Sequence, residues 1–182
     1  PIDAPKAASI LRNRKGVGEA ELGLANEMAI NQFIAHHSVI FQPEKKRMWV
    51  STAPWQCGKY VAYDLNRIFS DSIDFNHEIY TENLTVPADS FLQQQEYQQL
   101  MTYKRLAPVL RKQIKKKERL DEQTLHAFQH ANPHFFYVYE LLGDYYHATG
   151  QQDKALRNWK KALLLPIPKR SESERIEHKI NN

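Results

Sequence analysis

The chain has 182 residues, of which 42% are hydrophobic and 25% are charged, and its formal net charge is +4. This composition is ordinary for a globular protein, and no apolar run approaches the roughly 20 residues needed to span a bilayer. The single cysteine, Cys57, excludes a fold that is held together by internal disulfides.

The N-terminal segment is predicted to be mainly helical. Ala4–Arg14 predicts a short helix, which the glycines of Gly16-Val17-Gly18 end. Apolar residues recur through the following stretch, and we predict a helix over Asn26–Ile34. This helix is expected to lead directly into a strand.

The next segment predicts a β-hairpin and a third extended run. Residues 37–42 have the two-residue period of a strand, and Pro43 then begins a turn with charged residues at its tip. The return strand, Arg47–Thr52, is rich in residues that favour strands, and Tyr60–Leu65 is also extended. Apolar residues lie on both faces of the hairpin, so we expect layers above and below it.

A change in composition at Pro87 separates this region from a helical one. Ile79–Val86 predicts a short strand, and Asp89 or Ser90 is a suitable N-cap for the first long helix. Pro108 is expected to interrupt the helical region or to begin a new helix. The predicted helices are Phe91–Tyr103, Val109–Arg119, Asp121–Ala131 and a terminal helix from Ser171 to Ile180.

The segment Asn132–Ile167 has the residue spacing of a tetratricopeptide repeat. Gly143 and Ala155 are small where two antiparallel helices would approach closely, and Trp159 would fill the space around them. The spacing occurs once, so we expect this helix pair to pack on the neighbouring helices. The matching positions are Tyr139, Leu142, Gly143, Tyr146, Gly150, Ala155, Trp159 and Ala162.

Four segments of the first half, taken in order, carry a resemblance to an enzyme family. They are KGVGEAELGLANEMAINQFIA, HHSVIF, MWVST with its extension PWQCGKYVAYDL, and VPADSFL. Together they resemble the C-terminal part of the autoproteolytic acyltransferase and hydrolase family typified by acyl-CoA:6-aminopenicillanic acid acyltransferase. That family is a branch of the N-terminal-nucleophile hydrolases.

The resemblance implies an α+β fold. Residues 1–86 would supply short antiparallel strands to an αββα sandwich, and residues 87–182 would form a helical region that contains the tetratricopeptide-like hairpin 132–167. The implied activity is that of an amidase or acyltransferase acting on a small amide or acyl thioester without a cofactor. The resemblance favours a secreted or cell-envelope location.

Members of that family use an N-terminal cysteine that self-cleavage exposes and whose α-amino group can act as its base. The chain starts with Pro1 and Cys57 is internal, so we expect the nucleophile on an upstream segment and no catalytic residue in this chain. The expected partners are the upstream fragment of the same precursor or a second copy of the chain, and a small acyl or amide substrate.

The candidate substrate-pocket residues are His37 and Ser38, because the resemblance puts their strand beside the nucleophile. From the residues alone, the alternative is that both are structural and satisfy hydrogen bonds of the core. Cys57 would need a neighbour that lowers the pKa of its thiol, and Lys59 is the only candidate nearby, so we expect an inert, partly buried thiol.

Metal and nucleic-acid sites are not predicted. His126 and His130 form a pair on one helix face without a third ligand nearby. The lysine-rich run 111–119 lacks interleaved aromatic residues and is typical of a solvated helix face. Two further functions stay open, a helical protein-interaction module with the hairpin as accessory structure and, ranked last, a basic nucleic-acid binder.

Overall fold

The computed structural model describes residues 2–70, 74, 76 and 78–181. Within these residues the chain forms seven α-helices and one sheet of three strands, and the mixed α+β class predicted from the sequence is confirmed. None of the described helices has the length and hydrophobicity of a membrane span. In chain order the elements are α1 (Ala4–Leu11), β1 (Val39–Gln42), β2 (Arg47–Ser51), β3 (Tyr60–Asp64), α2 (Leu65–Ile68), α3 (Gln95–Lys116), α4 (Glu122–Ala131), α5 (Phe136–Ala148), α6 (Gln152–Leu163) and α7 (Arg170–Asn181).

Tertiary contacts divide the chain into two compact units, and both are discontinuous in sequence. The sheet unit contains Pro1–Asn13 and Ile30–Gln93. The helical unit contains Arg14–Ala29 and Gln94–Asn182. Each unit therefore includes one segment that is remote from the rest of it along the chain.

The sheet unit is built on an antiparallel sheet in the order β1-β2-β3, which confirms the predicted hairpin and third extended run. Ile40, Trp49 and Ala62 lie in register across the three strands. Trp49 and Ala62 belong to a core cluster with Ala8 of α1, so this helix covers one face of the sheet.

The opposite face of the sheet is apolar but only partly covered. Residues with this orientation are half-buried in all three strands, and Phe41 is 65% exposed. The sheet unit therefore supplies one of the two layers expected from the sequence. The residues of this half-open face are Val39, Phe41, Met48, Val50, Val61 and Tyr63.

The helix predicted over Asn26–Ile34 is wrong, because this segment is irregular. The side chain of Asn26 accepts a hydrogen bond from the N–H of Met28 at 3.0 Å, and that of Asn31 accepts one from Phe33 at 3.1 Å. Both asparagines are fully buried. Side-chain bonds of this kind replace the backbone bonds of a helix, so the apolar spacing does not lead to a helix here.

The strand predicted over Ile79–Val86 is also wrong. A single 3-10 turn occupies Glu82–Leu84, and only Val86 makes an isolated bridge to Tyr60. The carbonyl of Ala62 in β3 accepts from the N–H of Thr81, and the N–H of Ala62 donates to the hydroxyl of Thr85, in place of a regular ladder. The edge of β3 is therefore covered by a turn.

In the helical unit, α3 is one continuous helix, so the prediction that Pro108 separates two helices is wrong. Pro108 is exposed, whereas Leu106, Ala107 and Leu110 are buried, so the packed face continues through the proline. The predicted helix Asp121–Ala131 is confirmed, with Asp121 as its N-cap. The predicted terminal helix corresponds to α7.

Helices α5 and α6 form an antiparallel hairpin. Residues late in α5 contact residues early in α6, and residues early in α5 contact residues late in α6. The contacts are His147 with Gln152, Asp144 with Trp159, and Tyr139 with Lys161. Gly143 lies so close to the indole ring of Trp159 that a Cβ atom there would come within 3.0 Å of it.

The segment 14–29 packs on the helices of the helical unit. The side-chain amide of Asn132, which is 2% exposed, accepts from the N–H of Leu24 at 2.9 Å and donates to its carbonyl at 2.7 Å. Gly23 has a positive φ and lies against the backbone of Phe135, so a side chain would not fit there. These contacts tie residues more than a hundred positions apart.

Candidate functional site

Ser38, one of the two predicted substrate-pocket residues, lies directly before β1 and is held by three hydrogen bonds. Its N–H donates to the Ser51 hydroxyl at 2.7 Å, and its carbonyl accepts from the N–H of Ser51 at 2.9 Å. Its hydroxyl shares a short hydrogen bond with the hydroxyl of Tyr60. The position of the Ser38 side chain is therefore fixed by β2 and β3.

Tyr60 is fully buried at the start of β3. Burial raises the pKa of its phenol above the ordinary value, against the weaker opposing effects of the Ser38 hydrogen bond and of the Arg12 charge. The guanidinium of Arg12 lies 5.2 Å from the centre of the Tyr60 ring. A phenol with a raised pKa stays neutral at physiological pH, so Tyr60 can donate its proton in the bond to Ser38 without acting as a base.

Arg12 holds the loop between β2 and β3. Its guanidinium donates to the carbonyls of Gln56 at 3.0 Å, Gly58 at 2.7 Å and Pro87 at 2.7 Å. A planar group with five donors is suited to gathering several carbonyls at once. This role of Arg12 was not predictable from the sequence, because an arginine near the end of a short helix has the appearance of a surface residue.

Cys57 lies in this loop and is fully buried. Its sulfur accepts a hydrogen bond from the side-chain amide of Asn31 at 3.3 Å. A substrate carbonyl cannot reach a thiol that is withheld from solvent in this way. The thiol is thus more deeply buried than the partial burial that the sequence predicted.

His37, the other predicted pocket residue, precedes β1 and is exposed, as is His36. The structure brings Ser38 and Tyr60 together and leaves His37 on the surface. A nucleophilic serine needs a neighbouring base, and the group that the described residues offer to the Ser38 hydroxyl is a neutral phenol. This cluster can therefore bind and orient a polar group, and it lacks the arrangement for covalent catalysis.

Among the described residues, no three potential metal ligands lie close enough together to hold an ion. His126 and His130 stack with their ring centres 3.8 Å apart, and Nδ1 of His130 is bonded to the carbonyl of His126. The two histidines therefore form a stacked pair on the exposed surface of α4.

The helical unit contains a buried charge cluster that was not predicted from the sequence. Glu140 is 2% exposed and accepts hydrogen bonds from Arg175 at 2.8 Å, twice, and from Lys179 at 2.7 Å. Burial acts to raise the pKa of Glu140, but the bonds and charges of Arg175 and Lys179 lower it below its ordinary value. A signal was available, since Glu140 is the one charged residue in the segment FFYVYELLG.

Comparisons with known protein families, with curated proteins and with solved structures found no match to this chain. The resemblance of the first half to N-terminal-nucleophile acyltransferases stays a prediction, as does the repeat-like character of α5 and α6. The geometry of the two units is thus the basis for a functional interpretation.

Proposed function

We propose that this chain is the C-terminal part of an autoproteolytic amidase or acyltransferase of the N-terminal-nucleophile class, which acts on a small amide or acyl thioester. The nucleophilic cysteine would lie on an upstream segment. The strands of the sheet unit would belong to an αββα sandwich, and α5 with α6 would be a tetratricopeptide-like hairpin attached to it.

The half-open apolar face of the sheet carries this proposal. Phe41 is 65% exposed on that face, and Ile34, close to the start of β1, is 68% exposed. Among the described residues, β1 has β2 as its only strand neighbour. An apolar sheet face and an open strand edge are unfavourable in isolation, and a second sheet layer with an added strand would cover both.

The state of Cys57 and Ser38 supports a nucleophile supplied from elsewhere. Cys57 is fully buried, and the hydroxyl of Ser38 is bonded to the phenol of Tyr60. In the proposed reaction the upstream thiolate attacks the substrate carbonyl, expels the amine or thiol, and leaves a thioester. Water or an acceptor amine then attacks the thioester and releases the free cysteine.

Ser38 and His37 would border the acyl pocket in this assembly. Ser38 offers a hydroxyl whose position is fixed by β2 and β3, which suits the orientation of a polar substrate group. His37 is exposed in this chain and would be covered by the added layer. Neither residue is assigned a covalent role.

The first test measures activity. We expect the isolated chain to hydrolyse no amide or thioester, and the chain produced together with its upstream coding segment to do so. Substitution of the upstream cysteine should abolish turnover, whereas Cys57→Ala should leave it largely intact. Turnover by the isolated chain that disappears in Cys57→Ala would contradict the proposal.

The second test measures hydrogen exchange at β1. Ser38 and Ser51 form a hydrogen-bonded pair, and such pairs alternate with non-bonded pairs along an antiparallel ladder. The N–H group of Ile40 therefore points toward β2, whereas those of Val39 and Phe41 point away from it. We expect Val39 and Phe41 to become protected only when the upstream segment is present. Ile40 is the internal control, with similar protection in both samples. Equal protection of all three amides in the isolated chain would mean that the sheet is complete without a partner.

A helical protein-interaction module is the second candidate function. The close packing of Gly143 on Trp159 in the α5–α6 hairpin favours it, because such hairpins are common units of interaction domains. If the assembled protein binds a protein partner through the helical unit and shows no acyl-transfer chemistry, this candidate replaces the first.

A further inference from the structure

The helical unit has a cavity between the end of α3, the second half of α5 and the second half of α7. Its volume is about 630 Å3, which lies within the range of roughly 300–1,000 Å3 that is typical of small-molecule sites. Ile114 of α3 and Ala148 of α5 supply apolar surface, and carbon atoms predominate on the cavity wall. The carboxylate and the cations of the wall belong to Asp144, Arg175 and Lys179. The cavity is therefore suited to a ligand that has an apolar body and one polar or charged group.

Asp144 and Lys179 are bonded to groups of the protein itself. Asp144 accepts from the ammonium group of Lys179 at 2.8 and 2.9 Å and from the indole N–H of Trp159 at 3.0 Å. Lys179 also donates to Glu140 at 2.7 Å, so its contacts account for the three donors of an ammonium group. Lys179 therefore contributes charge to the cavity but has no donor left for a ligand.

Arg175 differs from Lys179, because its guanidinium has donors left. Nε and one N–H of Nη2 donate to the Glu140 carboxylate, each at 2.8 Å. Both N–H groups of Nη1 and the second N–H of Nη2 have no partner among the described residues. The side chain of Arg175 is 46% exposed, whereas that of Glu140 is 2% exposed. The buried carboxylate thus fixes the plane of the guanidinium and leaves its outer side within reach of a ligand.

The outer side of this guanidinium is suited to a carboxylate. Two parallel N–H groups of a guanidinium match the two oxygens of a carboxylate in both spacing and plane. The charges of Arg175 and Lys179 are balanced by those of Glu140 and Asp144. A group with one negative charge therefore fits this cluster better than a phosphate monoester, which carries nearly two. Lysines and arginines outnumber the acidic residues of the helical unit, so its overall charge does not repel an anion.

We propose that the cavity bordered by Ile114, Ala148 and Arg175 binds a small organic acid that has an apolar body. Nη1 and Nη2 of Arg175 donate to the two oxygens of its carboxylate, and the apolar body lies on Ile114 and Ala148. Glu140 orients the guanidinium from the side opposite the ligand. This site is independent of the acyl-transfer proposal, because all its residues belong to the helical unit.

The test is an NMR titration of the full chain with 3-phenylpropionate, with 3-phenylpropanamide and propionate as matched comparisons. We expect 3-phenylpropionate to cause saturable shifts of the methyl signals of Ile114 and Ala148 and of the Nε–H signal of Arg175. The amide should bind at least about tenfold more weakly because it is uncharged, and propionate at least about fivefold more weakly because it lacks the ring. Equal binding of the acid and the amide, or no saturable shift of these signals, would overturn the proposal. Tighter binding of 2-phenylethyl phosphate than of 3-phenylpropionate would overturn the assignment to a carboxylate.

Two variants test the role of the guanidinium. Arg175→Lys keeps the positive charge but loses the paired donors, so it should weaken 3-phenylpropionate binding about fivefold or more and affect the amide much less. Arg170→Lys is the matched control, because Arg170 pairs with Glu174 on the same helix and does not border the cavity. Equal affinities of these two variants for 3-phenylpropionate would contradict the role of Arg175. Because the comparison of ligands uses the unmodified chain, it decides the proposal even if a variant fails to fold.

Discussion

Glu140 joins two helices of the helical unit through its carboxylate. Arg175 and Lys179, one turn apart on α7, both donate to it, and Lys179 also donates to Asp144 at 2.8 and 2.9 Å. Removal of one partner from a buried ion cluster is costly because it leaves the remaining charges without compensation. The placement of α7 against α5 is therefore held by two carboxylates of α5, with Glu140 as the buried one.

We expect Glu140→Gln to lower the free energy of unfolding by about 2–4 kcal/mol at neutral pH, because the variant loses the charge that Arg175 and Lys179 surround. The pKa of Glu140 is lowered in the folded state, so its contribution is complete above the unfolded-state pKa of about 4.3 and is lost as the pH falls through the folded-state pKa. The difference between the variant and the unmodified chain should thus be largest near neutrality and should shrink below about pH 4.

Urea denaturation at several pH values measures this effect. Glu174→Gln is the matched control, because Glu174 pairs with Arg170 on the exposed side of the same helix and should matter little. A constant difference between Glu140→Gln and the unmodified chain from pH 7 to pH 3 would be inconsistent with a stabilising, ionised Glu140.

At the scale of elements, the α5–α6 hairpin depends on the absence of a side chain at Gly143. The indole of Trp159, which fills the space over Gly143, is 2% exposed and is tied to Asp144 by a hydrogen bond of 3.0 Å. This ring cannot move aside easily. The hairpin is therefore sensitive to volume at this point.

We expect Gly143→Ala to destabilise the chain by about 1–2 kcal/mol, although alanine is the better helix former by about 1 kcal/mol, because overpacking costs about 1–3 kcal/mol. Thermal unfolding measures the change. The control is the same substitution in a Trp159→Leu background, where the added methyl group should be tolerated. If Gly143→Ala raises the melting temperature of the otherwise unmodified chain, the close approach is not a constraint.

Helix α3 is held together across its internal proline by packing. Leu106, Ala107 and Leu110 are buried on the core side, while Pro108 itself is exposed. Proline removes one backbone hydrogen bond and crowds the carbonyl one turn earlier. The helix thus continues at a cost that the apolar face offsets.

We expect Pro108→Ala to raise the free energy of unfolding by about 1–2 kcal/mol, since a restored backbone bond outweighs the greater entropy of the unfolded chain. Chemical denaturation of the variant is compared with Arg105→Ala, an exposed position in the same helix where a change within about 0.5 kcal/mol is expected. Destabilisation by Pro108→Ala would show that the proline has a packing role.

At the scale of the whole molecule, both compact units combine segments that are distant in sequence. In the helical unit, the side chain of Asn132 takes the place of a backbone partner for Leu24, and Asn26 donates to the carbonyl of Pro166 at 3.0 Å. The segment 14–29 is thus fixed by polar side chains as well as by apolar packing.

We expect Asn132→Ala to destabilise the helical unit by about 2–4 kcal/mol, because it leaves the N–H and carbonyl of Leu24 without partners in a partly buried site. The amide of Leu24 should also exchange its hydrogen faster. Asn158→Ala is the control, since the side chain of Asn158 donates to the carbonyl of Lys154 within its own helix. Unchanged exchange at Leu24 in Asn132→Ala would mean that segment 14–29 is held by other contacts.

Much of the secondary structure followed from local patterns in the sequence. The β-hairpin was predictable from the two-residue period of its strands and the turn at Pro43, and α4 from the shared face of Leu125 and Phe128. The candidate site was predictable only in part. Ser38 was identified through a resemblance, while its contact with Tyr60 and the clamp made by Arg12 were not foreseen.

The sequence by itself determined which segments have an apolar face, because hydrophobic periodicity is a property of consecutive residues. The tertiary structure decided what each face meets. The buried side chains of Asn26 and Asn31 accept hydrogen bonds from backbone N–H groups of their own segment, in place of the backbone bonds of a helix. Arg12 donates to backbone carbonyls that lie 44 to 75 positions away along the chain. The spacing of apolar residues does not predict these hydrogen-bond partners, since a buried polar group bonds to whichever residue the fold brings close to it.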